Sequence, residues 1–83
     1  MKIINPEKLQ DFLKKNLRNY AKNECPKRVY DAALDDFESS IMSSGKEGYT
    51  DFELSGFETI SKNPELIYCT VTRDEENEIT IEF

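Results

Sequence analysis

Four carboxylates crowd into five positions of the stretch TRDEENEIT at residues 72–80: Asp74, Glu75, Glu76 and Glu78. Such a group could form the tip of a solvated hairpin, a metal-binding loop, or part of a surface that imitates the charge of nucleic acid. A calcium loop requires the spacing D-x-[DN]-x-[DN]-G and a later glutamate. Because DEENE lacks the glycine and this ligand spacing, we expect no metal site.

Candidates for nucleophilic or acid–base chemistry are few. The chain contains no histidine, so the commonest general base and metal ligand is absent. Cys25 lies near a predicted helix start beside Lys27 and Arg28, a setting that can activate a thiol, but a cysteine hydrolase would lack its usual histidine base. Cys69 alternates with apolar residues, which predicts burial in the core. We therefore expect no enzyme, no catalytic residue and no cofactor.

Further carboxylates are spaced so that they could act together. Asp31, Asp35 and Glu38 share one face of a predicted helix, with neighbouring Cβ atoms about 5–6 Å apart. Glu78 and Glu82 lie on one side of a predicted strand. The alternative is an ordinary solvated surface, since small domains are often acidic. The predicted partner-binding residues are acidic apart from one tyrosine on the wet side of the sheet: Asp31, Asp35, Glu38, Asp51, Glu53, Tyr68, Asp74, Glu75, Glu76, Glu78 and Glu82.

The net charge of −6 conceals an uneven distribution of charge along the chain. Residues 1–30 contain 8 basic and 3 acidic side chains, or 8 − 3 = +5. Residues 31–83 contain 3 basic and 14 acidic side chains, or 3 − 14 = −11. Because nucleic acid is bound through clustered Lys and Arg, this balance favours basic protein partners over nucleic acid.

Hydrophobic periodicity predicts the elements that carry these residues. A helical stripe runs over residues 6–21, and Pro26 can begin a second helix that the SSG sequence at 43–45 ends. After Gly48 the period changes to two, which predicts strands within residues 49–57, 66–72 and 78–83. The expected fold is α+β: a single domain over residues 1–83, with two N-terminal helices followed by a three-stranded antiparallel β-meander, ααβββ.

Sequence composition also indicates where in the cell the protein acts. The N-terminal MKIINPEK lacks the apolar stretch of a signal peptide, and no apolar run approaches the roughly 18–20 residues of a membrane span. The two cysteines form no disulfide framework. We therefore expect a cytoplasmic protein with reduced thiols and no contact with a membrane.

The segment YTDFELSGFETISKNPELIYCTV, residues 49–71, resembles a pattern in small proteins of Gram-positive phages and mobile elements. As a class, the whole chain is similar to anti-CRISPR proteins, which are short, acidic, cytosolic and without catalytic residues. Several such inhibitors occupy the DNA- or guide-binding channel of an effector by presenting carboxylates. This resemblance implies a phage-type inhibitor that acts by DNA mimicry on a CRISPR effector in the cytoplasm of a bacterial host.

A basic helix face remains to be explained, formed by Lys14, Lys15, Arg18 and Lys22. It could be an exposed surface, bind RNA, or pair with the acidic residues of a second copy. The last reading predicts a small regulatory or adaptor protein that forms a homodimer through oppositely charged faces. The first expectation is an inhibitor that contacts a basic nucleic-acid-handling protein through its acidic surface.

Overall fold

The computed structural model describes residues 1–22, 25–54, 56–63 and 65–83. Four strands form one mixed sheet in the order β1-β4-β3-β2. The elements in chain order are β1 (Lys2–Ile4), α1 (Pro6–Asn16), α2 (Arg18–Ala21), α3 (Pro26–Ser44), β2 (Gly48–Phe52), β3 (Ile67–Arg73) and β4 (Ile79–Glu82).

The predicted ααβββ fold with a three-stranded antiparallel meander is wrong, because the sheet has a fourth strand that runs parallel to its neighbour. β1 pairs with β4, with Ile3 opposite Ile81, and the Phe83 N–H extends the pairing by donating to the Ile4 oxygen at 3.1 Å. A three-residue strand is too short to show a period of two. Its partner lies at the other end of the sequence, so no local pattern predicts the pairing.

The first predicted helix is also divided, into α1 and α2. Leu17 adopts an extended conformation (φ −98°, ψ 124°) and forms an isolated β-bridge with Thr59, while its side chain stays buried. The Arg18 N–H donates to the Glu58 oxygen at 3.1 Å. Because the apolar stripe continues through Leu17 without glycine or proline, the sequence carries no signal for this break.

The predicted strand over residues 49–57 is shorter than expected, since β2 ends at Phe52. Its residue Ser55 lies outside the described residues. Glu53 and Leu54 follow β2 without strand structure, so Glu53 does not extend the acidic pattern of the sheet.

The core lies between one face of the sheet and the helices. Ile67, Cys69 and Val71 alternate inward along β3. Phe37 of α3 stacks on Phe52 of β2, with ring centroids 4.5 Å apart and planes at 14°. Burial of each such side chain stabilises the fold by about 1.5–3 kcal/mol. The remaining core residues are Leu9, Phe12, Leu13, Leu17, Ala33, Ile41, Leu54, Ile79, Ile81 and Phe83.

The two ends of the sheet are named here by the connections found there: the β3–β4 hairpin at one end and the loop between β2 and β3 at the other. At the hairpin end, residues 74–78 join β3 to β4, and Arg73 pairs with Ile79. The Arg73 guanidinium donates to the Ile41 oxygen at 3.3 Å, which places the last turns of α3 at this end. At the loop end, Phe52 pairs with Ile67, and the described residues 53–54, 56–63 and 65–66 lie outside the sheet.

Candidate acidic contact surface

The hairpin between β3 and β4 is held by its own first carboxylate. The Asn77 N–H donates to the Asp74 oxygen at 3.1 Å, and Asn77 has φ 62°, as expected of a tight turn followed by a left-handed residue. Asp74 Oδ1 accepts from the N–H groups of Glu76 and Glu78, both at 2.9 Å. Asp74 therefore shapes the turn, and its neighbours Glu75 and Glu76 extend into solvent.

Glu78 and Glu38, from different elements, both act on the Met1 ammonium at the hairpin end. Glu78 Oε1 lies 3.0 Å from the Met1 ammonium nitrogen. This hydrogen bond and the Glu78 charge raise the pKa of the Met1 ammonium above its ordinary value, and the charge of Glu38 adds to the effect. The structure thus joins α3 to the hairpin in one acidic tip, defined here as Glu38, Glu75, Glu76 and Glu78.

The outer face of α3 carries the other two predicted helix residues. Ala33, Phe37 and Ile41 point into the core, so Asp31 and Asp35 point away from the sheet and are exposed. Asp31 Oδ2 accepts from Lys27 Nζ at 2.9 Å. Such an exposed pair contributes only about 0.3–0.5 kcal/mol, and it partly neutralises this face.

The opposite face of the sheet is covered by none of the described helices and is called the open face; its central residues are Tyr49, Asp51, Tyr68, Thr70 and Glu82. Tyr49 stacks on Tyr68 with ring centroids 5.7 Å apart and planes at 10°. The two residues are 75% and 50% exposed, so both rings are available to a partner. Tyr49 was not predicted as a site residue, yet its period-two relation to Asp51 would have placed it on this face.

The predicted acidic residues therefore do not form one continuous surface. Glu38 and the hairpin glutamates come together at the tip. Asp31 and Asp35 face away from the sheet on the helical side, whereas Asp51, Tyr68 and Glu82 lie on the open face. Tip and open face are adjacent, because Glu78, Thr80 and Glu82 alternate along the same side of the chain at β4.

Two arginines lie toward the loop end. Arg28 and Leu17 line a small cavity of about 240 Å³ together with Phe57 and Glu58 of the segment that follows β2. Arg18 Nη1 lies 3.8 Å from Glu58 Oε1 in the same region. Because Arg73 lies at the hairpin end, the charge asymmetry of the sequence does not become a complete separation of charge in space.

The described residues contain no group of three His, Cys, Asp or Glu side chains that could hold a metal ion. Cys25 is exposed, whereas Cys69 is 2% exposed, and burial raises the pKa of its thiol to about 11. An open polar cleft of about 470 Å³ lies between α3 and β2, lined in part by Asp36, Ser43 and Lys46.

No protein-family model, no curated protein and no solved structure matches the chain. None of the described helices combines the length and the apolar composition that crossing a bilayer requires.

Proposed function

We propose that this protein is a non-enzymatic inhibitor of phage type that binds a basic nucleic-acid-handling protein. The leading candidate for this partner is a CRISPR effector. The acidic tip of the inhibitor would enter the nucleic-acid channel and occupy it by DNA mimicry, in the cytoplasm of a bacterial host. The observation that carries the proposal is the convergence of Glu38 and Glu78 beside Met1, next to exposed Glu75 and Glu76.

Physical reasoning supports a charged contact of this kind. Carboxylates on a folded hairpin and helix are fixed in space, so a basic channel can bind them with little loss of backbone entropy. Clustered charge of one sign also speeds encounter with a partner of opposite sign. Because the tip carbonyl and carboxylate groups would repel phosphate, the same surface disfavours direct binding of nucleic acid.

Charge reversal tests this function. The tip variant carries Glu75→Lys and Glu76→Lys, which spares Glu78 and its contact with Met1. A control with the same change in net charge carries Asp11→Lys and Glu65→Lys, both exposed and outside the tip. Inhibition of DNA cleavage is measured with a panel of purified, guide-loaded CRISPR effectors.

We expect the wild-type protein and the control to inhibit at least one effector, and the tip variant to inhibit at least about tenfold less. Binding should weaken between low and moderate salt, since exposed charges are screened over about 8–10 Å. Normal inhibition by the tip variant, or binding to none of the effectors, contradicts the proposal.

Self-association is the second candidate function, and the position of Arg18 and Arg28 at the loop end, away from the acidic tip, favours it. An adaptor of this kind would place the acidic tip of one copy against these arginines of another. Sedimentation velocity at about 50 and 500 mM salt tests it: a dimer that dissociates in high salt supports self-association, and a monomer at both salt concentrations excludes it.

A further inference from the structure

The open face presents two aromatic rings to solvent in a defined arrangement. Tyr49 and Tyr68 come from neighbouring strands and stack diagonally, since Tyr49 is paired with Thr70 rather than with Tyr68. Threonine side chains beside them are small and leave the ring faces accessible. Exposed aromatic rings of this kind are enriched at the centres of protein interfaces.

Two carboxylates flank the rings. Asp51 is paired directly with Tyr68, and Glu82 is paired with Thr70, which is itself paired with Tyr49. Among the described residues, neither carboxylate takes part in an ion pair within 4.0 Å. Both therefore remain available to a cation from outside.

The basic residues nearest to this face do not neutralise its carboxylates. Lys46, which precedes β2, donates to the Asp51 backbone oxygen at 3.2 Å, and its Nζ lies 5.0 Å from the ring centroid of Phe52, which points into the core. Lys2 is paired with Thr80 and therefore lies on the open face, on the edge strand beyond β4. Among the described residues, neither lysine forms an ion pair with Asp51 or Glu82 within 4.0 Å.

We propose that the open face binds an arginine side chain of the protein partner. The guanidinium stacks on the exposed tyrosine rings while its N–H groups donate to Asp51 or Glu82. A planar guanidinium can do both at once, whereas a compact ammonium cannot. This inference rests on the proposed function only in taking the partner to be a basic protein, whose contact chemistry it specifies.

Charge decides between arginine and the other ligands that aromatic rings accept. Nucleic-acid bases also stack on tyrosine, but their phosphates would approach Asp51 and Glu82 and be repelled. A second copy packed face to face would bring the same two carboxylates against their equivalents. A cationic segment of another protein avoids both conflicts.

The test uses three fluorescein-labelled peptides of identical length, in which arginine alternates with glycine or is replaced by lysine or by uncharged citrulline. Their affinity for the wild-type protein is measured by anisotropy at low salt, and the ring signals of Tyr49 and Tyr68 are followed by NMR. Tyr68→Thr and Glu82→Gln alter the site while keeping strand-compatible residues at exposed positions. Glu65→Gln is the control of equal charge change, at an exposed residue outside both the acidic tip and the open face.

We expect the arginine peptide to bind at least about fivefold more tightly than the lysine peptide, and to shift both ring signals. Tyr68→Thr should remove this preference, and Glu65→Gln should keep it. Equal affinity for arginine and lysine, or unshifted rings, overturns the site. A wild-type dimer that Tyr68→Thr dissociates also overturns it, because a second copy would then occupy the face.

The two proposals can fail separately. Inhibition of an effector without selective binding of the arginine peptide overturns the arginine site alone. Selective peptide binding with no inhibition of any effector overturns the proposed function alone, because the peptide assay contains no effector.

Discussion

Replacing Asn16 with alanine should lower the free energy of unfolding by about 2 kcal/mol. Asn16 is 5% exposed. Its Nδ2 donates to the Phe12 oxygen at 2.9 Å, and its Oδ1 accepts from the Glu65 N–H at 3.1 Å. The second bond joins residues 49 positions apart in the sequence, so it anchors the loop end to α1.

The magnitude follows from what each group loses. The Phe12 oxygen retains its partner within the helix, so loss of Nδ2 costs little. The Glu65 N–H loses its acceptor in a part-buried setting, where an unpaired donor costs about 1–3 kcal/mol. In a domain of this size, about 2 kcal/mol corresponds to a fall in Tm of roughly 8–16 °C.

Urea denaturation followed by circular dichroism measures the change, with Asn63→Ala as a control at an exposed asparagine of the same segment. Asn16→Asp refines the test, because its carboxyl keeps the acceptor for Glu65. At neutral pH a buried carboxylate beside the Phe12 oxygen should destabilise the fold, and protonation near pH 4 should restore part of the loss. The reasoning is refuted if the free energy of unfolding of the Asn16→Ala variant lies within about 0.5 kcal/mol of the wild-type value.

Three further changes have expected outcomes. Asp74→Ala should lower the free energy of unfolding by about 1–2 kcal/mol in urea titrations, because two N–H groups of the turn lose their acceptor, whereas Glu75→Ala should change it by less than about 0.5 kcal/mol. Phe37→Ala should cost about 3–5 kcal/mol and leave much of the protein unfolded at 37 °C by calorimetry. Cys69 should resist a disulfide reagent at pH 8 until urea unfolds the chain, whereas Cys25 should react at once. Burial raises the pKa of Cys69 from 9.0 to about 11, so its contribution to stability is fully present below pH 9 and should be lost as pH rises toward 11, unless Cys69 is replaced by valine.

The sequence predicted those helices and strands whose buried residues recur at a regular spacing along the chain. The helical stripe predicted over residues 6–21 includes Leu9 and Leu13, and both are fully buried. The SSG sequence was predicted to end the second helix, and α3 ends at Ser44 with Gly45 in a left-handed conformation at φ 67°. Alternation along β3 and β4 separated the buried residues from the wet ones.

The failures have a common physical cause, which is pairing with a distant segment. β1 forms because β4 offers it a free edge, and Leu17 leaves the helix because Thr59 offers it a bridge. Neither partner is visible from neighbouring residues. Asn16 lies on the apolar face of α1, three residues after Leu13 and four after Phe12, but its polar side chain gives no sign of burial, since its partner is the backbone of Glu65.

The sequence predicts the residue types of the candidate site, but not how these residues are arranged in space. The acidic residues were identified, but the role of Asp74 inside the turn depends on backbone geometry that a count of charges does not contain. The period of two places Tyr49 on the same side of its strand as Asp51. It becomes a candidate only when the register places it diagonally across from Tyr68.

The arrangement of the faces limits which carboxylates can act together on one partner. Glu78 and Glu82 lie on the same side of the chain about 14 Å apart at strand spacing, so a flat basic surface can reach the tip and the open face together. Asp31 and Asp35 point away from that surface, and Lys27 already neutralises part of their charge. Reversal of the tip should therefore weaken binding more than Asp31→Lys with Asp35→Lys, although both change the net charge equally. If the Asp31→Lys, Asp35→Lys variant instead binds more weakly than the tip variant, the partner contacts the helical side, and the open face lies outside the interface.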